Sequence, residues 1–127
     1  ISLEQNRLHV DYHFSDQMKQ IFTTEINLAM PSCDGMGGRY VYQGKIPGGF
    51  GQLLELNHLT EIILDDDTLG GSVVLRTSSP VTLRAYPHYS VSQSESGFEK
   101  IMQAVTLQVE CPTPAQGLNI TLEINAR

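Results

Sequence analysis

The chain has 127 residues, 40% of them hydrophobic, which suffices for one domain with a full hydrophobic core but not for two. Its 14 acidic and 8 basic residues give a formal charge of −6, and the basic residues are scattered, which argues against a nucleic-acid partner. No apolar stretch approaches the roughly 18 residues that a transmembrane helix needs, so no membrane span is expected.

The first predicted element is the amphipathic segment RLHVDYHF, residues 7–14. As a strand it has one apolar face, formed by Leu8, Val10, Tyr12 and Phe14. As a helix it brings His9 and His13 within about 6 Å, which suits a Zn or Cu site, whereas strand spacing separates them by roughly 13 Å and removes that site. Helical periodicity over residues 10–22 keeps both interpretations open. We expect a strand through Phe14 and then a short helix or turn over residues 15–22.

From residue 23 onward, short extended runs alternate with turn residues, which is typical of a β-sandwich or barrel. The eight predicted strands cover residues 23–30, 39–45, 51–56, 60–64, 72–78, 81–86, 104–111 and 118–126. The last two alternate apolar and polar residues regularly, as antiparallel strands with one buried face do. The polar stretch at residues 88–97 predicts a mobile surface loop. The sequence therefore predicts an all-β, single-domain, immunoglobulin-like antiparallel β-sandwich over residues 1–127.

Two cysteines, Cys33 and Cys111, leave either one disulfide or two free thiols. A disulfide between them would close a loop of about 78 residues and stabilise the domain by roughly 4.5 kcal/mol in the chain-entropy model. The chain is also poor in Lys, rich in Ser and Thr, and begins with Ile. Together these features predict an extracytoplasmic location: secreted, periplasmic or at the cell surface.

Tyrosines and basic residues are grouped in two short segments, RYVY and RAYPHYS. Tyrosine combines a flat apolar ring with a polar tip, which suits recognition of a protein or a carbohydrate at a surface. Packing within the sheet is the alternative role of such residues. The predicted binding residues are Tyr40, Tyr42, Arg84, Tyr86, His88 and Tyr89.

Other site patterns are weak. The glycine-rich stretch at residues 35–51 lacks a phosphate-binding motif and predicts turns, and the three aspartates at 65–67 lack calcium-loop spacing and predict a solvated turn. No local signature of a nucleophile, a zinc protease or a paired-carboxylate site is present. We therefore expect a non-catalytic domain without a cofactor, with His9 and His13 as the candidate metal ligands.

The N-terminal alternation, the strand-rich middle and the single cysteine pair resemble the subunits of bacterial chaperone-usher pili and, more weakly, their tip adhesins. The chain lacks the tyrosine that such subunits carry just before the C-terminus. The resemblance implies an incomplete sandwich completed by a donated strand, with residues 1–14 as an exchangeable strand and like subunits as partners. The predicted function is thus a secreted or surface-located binding or assembly module. The alternatives are an extracytoplasmic metal- or small-ligand-binding protein that uses its histidines, and a small secreted hydrolase or inhibitor.

Overall fold

The computed structural model describes residues 2–4, 6–14, 20–32, 37–94, 97–112 and 117–126. Within these ranges the chain forms nine strands and no helix: β1 (Ser2–Glu4), β2 (Arg7–Tyr12), β3 (Ile21–Leu28), β4 (Gly38–Tyr42), β5 (Lys45–Gly49), β6 (Leu54–Asp66), β7 (Gly71–Ser94), β8 (Gly97–Pro112) and β9 (Leu118–Ala126). All strand pairs are antiparallel. The predicted antiparallel β-sandwich is confirmed.

The strands form two layers that share β6 and β7. The first layer has the order β1-β2-β9-β7-β6-β4-β5, and the second has the order β3-β8-β7-β6. The first part of β7, residues 71–77, pairs with β9, and its later part, residues 82–94, pairs with β8. Both long strands therefore pass from one layer into the other.

The passage between layers occurs at irregularities in both long strands. The β6–β7 register shifts between Leu56 and Leu59 and again before Glu61, and His58 has a φ of 54° within this bulge. On β7, the Thr77 hydroxyl donates to the Ser79 carbonyl oxygen (2.8 Å) and lies 3.4 Å from the Leu59 carbonyl oxygen, which is its alternative acceptor. Either bond satisfies a backbone group where the regular ladder is interrupted.

The core lies between the two layers because alternate residues of each strand point inward. Its fully buried aliphatic residues come from both layers and include Leu59, Leu64, Leu75, Leu83, Leu107 and Ile120. The rings of Tyr12 on β2 and Phe22 on β3 lie 4.8 Å apart and join the edges of the two layers. The aliphatic residues of the sequence therefore form the core of the sandwich.

Several predicted boundaries were wrong. Residues 54–56 and 60–64 are parts of one strand, β6, whereas residues 51–53 precede it. Residues 88–94 extend β7 into a long hairpin with β8 where a loop was predicted. The predicted strand 39–45 is broken by a two-residue turn at Gln43 and Gly44, whose φ values of 51° and 76° fit a type I′ hairpin. The short helix or turn predicted over residues 15–22 overlaps the start of β3, because Ile21 and Phe22 are strand residues. Residues 15–19 lie outside the described residues.

Candidate functional site

The outer face of the second layer is determined by the alternation of β7. Val81, Leu83 and Ala85 are at most 2% exposed and face the core. The residues between them, Thr82, Arg84 and Tyr86, therefore point away from the core. The same alternation continues to His88, which is exposed and pairs with Ala104 of β8.

Residues of the neighbouring strands β3, β6 and β8 complete this surface, and the strand pairing shows which of them lie side by side. β8 places Gln108 beside Arg84, and β3 places Glu25 beside Gln108, while on the other side Glu55 of β6 pairs with Arg84. We call this surface the Tyr86 face. It consists of Thr23, Glu25, Asn27, Glu55, Asn57, Thr82, Arg84, Tyr86, His88, Gln108 and Glu110, together with Leu53 just before β6 and with Thr106, which is itself only 2% exposed.

Arg84 lies at the centre of the Tyr86 face between two carboxylates. Its Nη1 donates to Glu110 Oε2 at 2.5 Å, and its Nη2 lies 3.5 Å from Glu55 Oε1. The hydrogen bond and charge of Glu110, and the charge of Glu55, raise the pKa of the guanidinium, so Arg84 is always charged. The cation is thereby held in one orientation across three strands.

Tyr86 presents a partly exposed ring beside an exposed aliphatic residue. Its hydroxyl donates to Glu25 Oε1 at 3.3 Å, and burial together with the Glu25 carboxylate raises the pKa of the phenol. The β6–β7 pairing begins at Leu54 and Ala85, so the same register, continued by one residue, would place Leu53 near Tyr86 just before β6 begins, and Leu53 is 79% exposed. An apolar strip therefore adjoins the Arg84 ion-pair network.

Two further hydrogen bonds fix the rim of the Tyr86 face. Thr82 Oγ1 donates to Asn57 Oδ1 at 3.1 Å, and Thr106 Oγ1 donates to Asn27 Oδ1 at 2.6 Å. Most side chains of the Tyr86 face are therefore hydrogen-bonding groups anchored on strands. Because its three glutamates outnumber Arg84, the face favours a neutral ligand rich in hydroxyl groups over an anion.

The Tyr86 face contains three of the six predicted binding residues, Arg84, Tyr86 and His88. The prediction was wrong for Tyr40, which is fully buried with its ring 5.2 Å from that of Phe50. Tyr42 is also on β4 of the other layer and packs partly buried against the core. Tyr89 is 39% exposed and follows a register shift after His88.

Sequence reasoning missed most polar partners on the Tyr86 face. Glu25, Glu55 and Gln108 belong to three different strands, and their proximity depends on strand order. The alternation of Thr82, Arg84 and Tyr86 with apolar residues is the one local signal that could have indicated an outward polar row.

The N-terminal segment lies in the sheet as a strand. Arg7–Tyr12 pairs along its length with β9 of the same domain, while β1 covers its other edge. Leu8, Tyr12 and Phe14 pack against the core, as the strand interpretation predicted, and Val10 is partly buried. Exchange of residues 1–14 between subunits stays a prediction.

The strand geometry removes the helical spacing on which the histidine metal site depended. His9 Nδ1 lies 3.1 Å from Thr121 Oγ1, while His13 is exposed in a shallow cleft that Asp11, Ser78 and Asn119 also line. Within the described ranges, no group of three or more His, Cys, Asp or Glu side chains is arranged to hold a metal ion.

The aspartates at 65–67 stabilise the turn after β6 instead of converging on one point. Asp65 and Asp67 both form ion pairs with Arg39. Asp66 is fully buried and accepts hydrogen bonds from Ser32, Thr68 and Leu69. The predicted solvated turn is therefore only partly correct, because Asp65 and Asp66 belong to β6, Asp66 is buried, and only Asp67 lies in the turn.

Cys111 is a buried free thiol, so the structure does not support the predicted disulfide. Its predicted partner, Cys33, lies outside the described residues. Burial and the charge of Glu110 raise the pKa of the Cys111 thiol, which lowers its reactivity. The extracytoplasmic location stays a prediction.

Comparison with known proteins gives one family. A family model described as "Alpha-amylase/4-alpha-glucanotransferase, C-terminal" matches residues 1–124. No curated protein and no solved structure matches the chain significantly. In the part of the chain that the structure describes, no helix is long and apolar enough to cross a membrane. The resemblance to pilus subunits is not tested by these comparisons. Because the match covers nearly the whole chain, the protein belongs to the alpha-amylase/4-alpha-glucanotransferase C-terminal domain family.

Proposed function

We propose that this domain is a non-catalytic module that binds α-glucan chains through the Tyr86 face. The observation that carries the proposal is the Tyr86 ring, which is partly exposed, bonded to Glu25 and on the same outward row of β7 as the Arg84 ion-pair network. The family supports the choice of ligand, because its described members are C-terminal domains of enzymes that act on α-glucans.

The chemistry of the Tyr86 face suits a sugar. A pyranose ring has apolar C–H faces that pack on an aromatic or aliphatic surface, and its hydroxyl groups both donate and accept hydrogen bonds. Tyr86 and Leu53 offer the apolar surface, and Glu25 and Gln108 offer acceptors and donors beside it. A neutral sugar also fits the excess of carboxylates over Arg84, whereas a phosphate would be repelled.

The position of these groups on strands favours binding without a large ordering cost. Arg84 is bonded to carboxylates on both neighbouring strands, and the Tyr86 hydroxyl is bonded to Glu25 of β3. Side chains that are held in place before the ligand arrives lose little conformational entropy on binding. The Tyr86 face is therefore a preformed surface.

The same geometry argues against hydrolysis at this face. Glycosidases place two carboxylates on opposite sides of the scissile bond. Here Glu55 and Glu110 both bond to one guanidinium and lie on one side of a sheet, so both would approach a sugar from the same side. The groups can bind and orient a glucan without acting on its glycosidic bonds.

The proposal is tested by affinity electrophoresis of the domain in gels containing soluble starch, with calorimetry on linear α-glucan oligomers. We expect the wild-type domain to be retarded and Tyr86→Ala to bind roughly tenfold more weakly, since loss of a stacking surface costs on the order of 1.4 kcal/mol. Tyr86→Phe keeps the ring and should retain most of the affinity.

Leu53→Ala is paired with Ile46→Ala, because both side chains are more than half exposed but Ile46 lies on β5 of the other layer. Leu53→Ala should weaken retardation and Ile46→Ala should not. Absence of retardation of the wild-type domain, or equal binding by Tyr86→Ala, would overturn the proposal.

A further inference from the structure

A cavity opens at the end of the Tyr86 face, where β6 and β7 bend between the layers. Three of its lining residues, Asn57, Thr82 and Glu110, belong to the Tyr86 face. The remaining wall includes His58 of the β6 bulge and Pro80 of the β7 bend. The surface that carries Arg84 and Tyr86 therefore continues into a concave site.

We propose that this cavity binds a terminal sugar unit of the α-glucan whose other units contact Tyr86. The inference rests on the proposed function, because the ligand is the same chain. The inference adds a second subsite on the protein. It also gives the bound glucan a direction, because one end of the glucan enters the cavity at the bend of the sandwich.

His58 is the first reason to assign a ligand to this cavity. Its φ of 54° lies in the left-handed region, which glycine adopts most easily and which His, Asn and Asp adopt more often than other non-glycine residues do. The side chain is exposed, while the adjacent Leu59 is fully buried and anchors the bulge in the core. The bulge thus holds an imidazole at the cavity wall in a conformation that a smaller residue would adopt more easily.

The second reason is the composition of the wall. The Asn57 amide, the Thr82 hydroxyl and the Glu110 carboxylate supply donors and acceptors, and the rings of Pro80 and Pro112 supply an apolar surface. Apolar surface with a few convergent polar groups is the usual composition of a small-ligand site. Such a wall fits one pyranose ring without requiring a charged ligand.

The spacing of the two subsites predicts how binding depends on ligand length. Thr82 and Tyr86 are four residues apart on β7, which corresponds to roughly 13 Å at the rise of an extended strand. A single sugar or a disaccharide is too short to contact both subsites fully. Affinity should therefore increase with oligomer length until one chain reaches from Tyr86 into the cavity.

The test is calorimetry with linear α-1,4-linked glucose oligomers of increasing length on wild type and His58→Gly. Glycine removes the imidazole and accepts the left-handed backbone, so the variant is expected to fold. We expect long oligomers to bind His58→Gly about tenfold more weakly and the shortest binding oligomers to bind both proteins equally. His58→Asn keeps a polar group at the same backbone conformation and should recover part of the loss.

Gln43→Gly is the matched control, because Gln43 is the other described non-glycine residue with positive φ and lies in the hairpin between β4 and β5. It should bind all oligomers as the wild type does. If no oligomer binds the wild-type domain, the proposed function itself fails. If the wild type binds but His58→Gly keeps the full dependence on length, the cavity subsite is refuted and binding at the Tyr86 face stands.

Discussion

Replacement of Asp66 by Asn tests how the turn between β6 and β7 is stabilised. The carboxylate is fully buried, and four donors point at it. Oδ1 accepts from Ser32 Oγ (2.5 Å), Thr68 N (2.9 Å) and Leu69 N (3.1 Å), and Oδ2 accepts from Ser32 N (2.9 Å). Asn offers one acceptor oxygen in place of two. Its NH₂ group would then face the Ser32 N–H, and two donors cannot form a hydrogen bond with each other.

The cost follows from these contacts. One charge-assisted hydrogen bond is lost, the Ser32 N–H is left buried without that acceptor, and three bonds become neutral, so we expect Asp66→Asn to cost about 3 kcal/mol. Burial by itself raises the pKa of Asp66, but the hydrogen bonds from Ser32, Leu69 and Thr68 outweigh it and lower the pKa. The bonds therefore stabilise the ionised form.

A lowered folded-state pKa determines the pH dependence. The stabilisation by Asp66 is complete above the unfolded value of about 3.9 and is lost as the pH falls through the lower folded value. Urea unfolding should therefore show a large difference between wild type and Asp66→Asn at neutral pH, and a smaller one in strong acid. Asp67→Asn is the control, since Asp67 is half exposed and pairs with Arg39, and it should cost less than about 1 kcal/mol. Equal costs for the two variants would refute the reasoning.

Three further predictions concern packing, the thiol and the N-terminal strand. Gly38→Ala places a methyl group 2.2 Å from the Phe50 ring and should destabilise the domain by about 1–3 kcal/mol in urea unfolding. Cys111 should react with a thiol reagent slowly in the native domain and quickly in urea without reductant, as measured by mass spectrometry; no reaction in urea would indicate a disulfide. Deletion of residues 1–14 removes one of the two partners of β9 and should lower the melting temperature, and an unchanged melting temperature would contradict the paired role of β2.

The sequence was sufficient for the fold class and for several strands because alternation of apolar and polar residues reports burial directly. It predicted β9 over residues 118–126, which are the observed bounds. It failed where tertiary pairing outweighs local composition. Residues 88–94 are mostly polar, yet they form a strand because β8 pairs with them along the hairpin.

The candidate site was predictable only in part for a related reason. Arg84 and Tyr86 lie on one strand, and their alternation with core residues indicates an outward face. Tyr40 has the same residue type and a similar neighbourhood in the sequence, but it faces inward and packs on Phe50. Residue type alone could not distinguish these tyrosines, and the approach of Glu25 and Gln108 required the strand order.

The bend shared by β6 and β7 links the architecture to the proposed binding. A strand that stayed in one layer would present a flat row of residues, whereas here the register shifts around Leu59 bring His58 and Pro80 up beside the end of the Tyr86 face. Proline fits at such a position because the interrupted ladder requires no N–H donor there. Since Leu59 is fully buried, the bulge between the cavity and the Tyr86 face is anchored in the core. A glucan that contacts both would gain the second contact with little additional ordering of the protein, and this is why oligomer length is the variable that tests the arrangement.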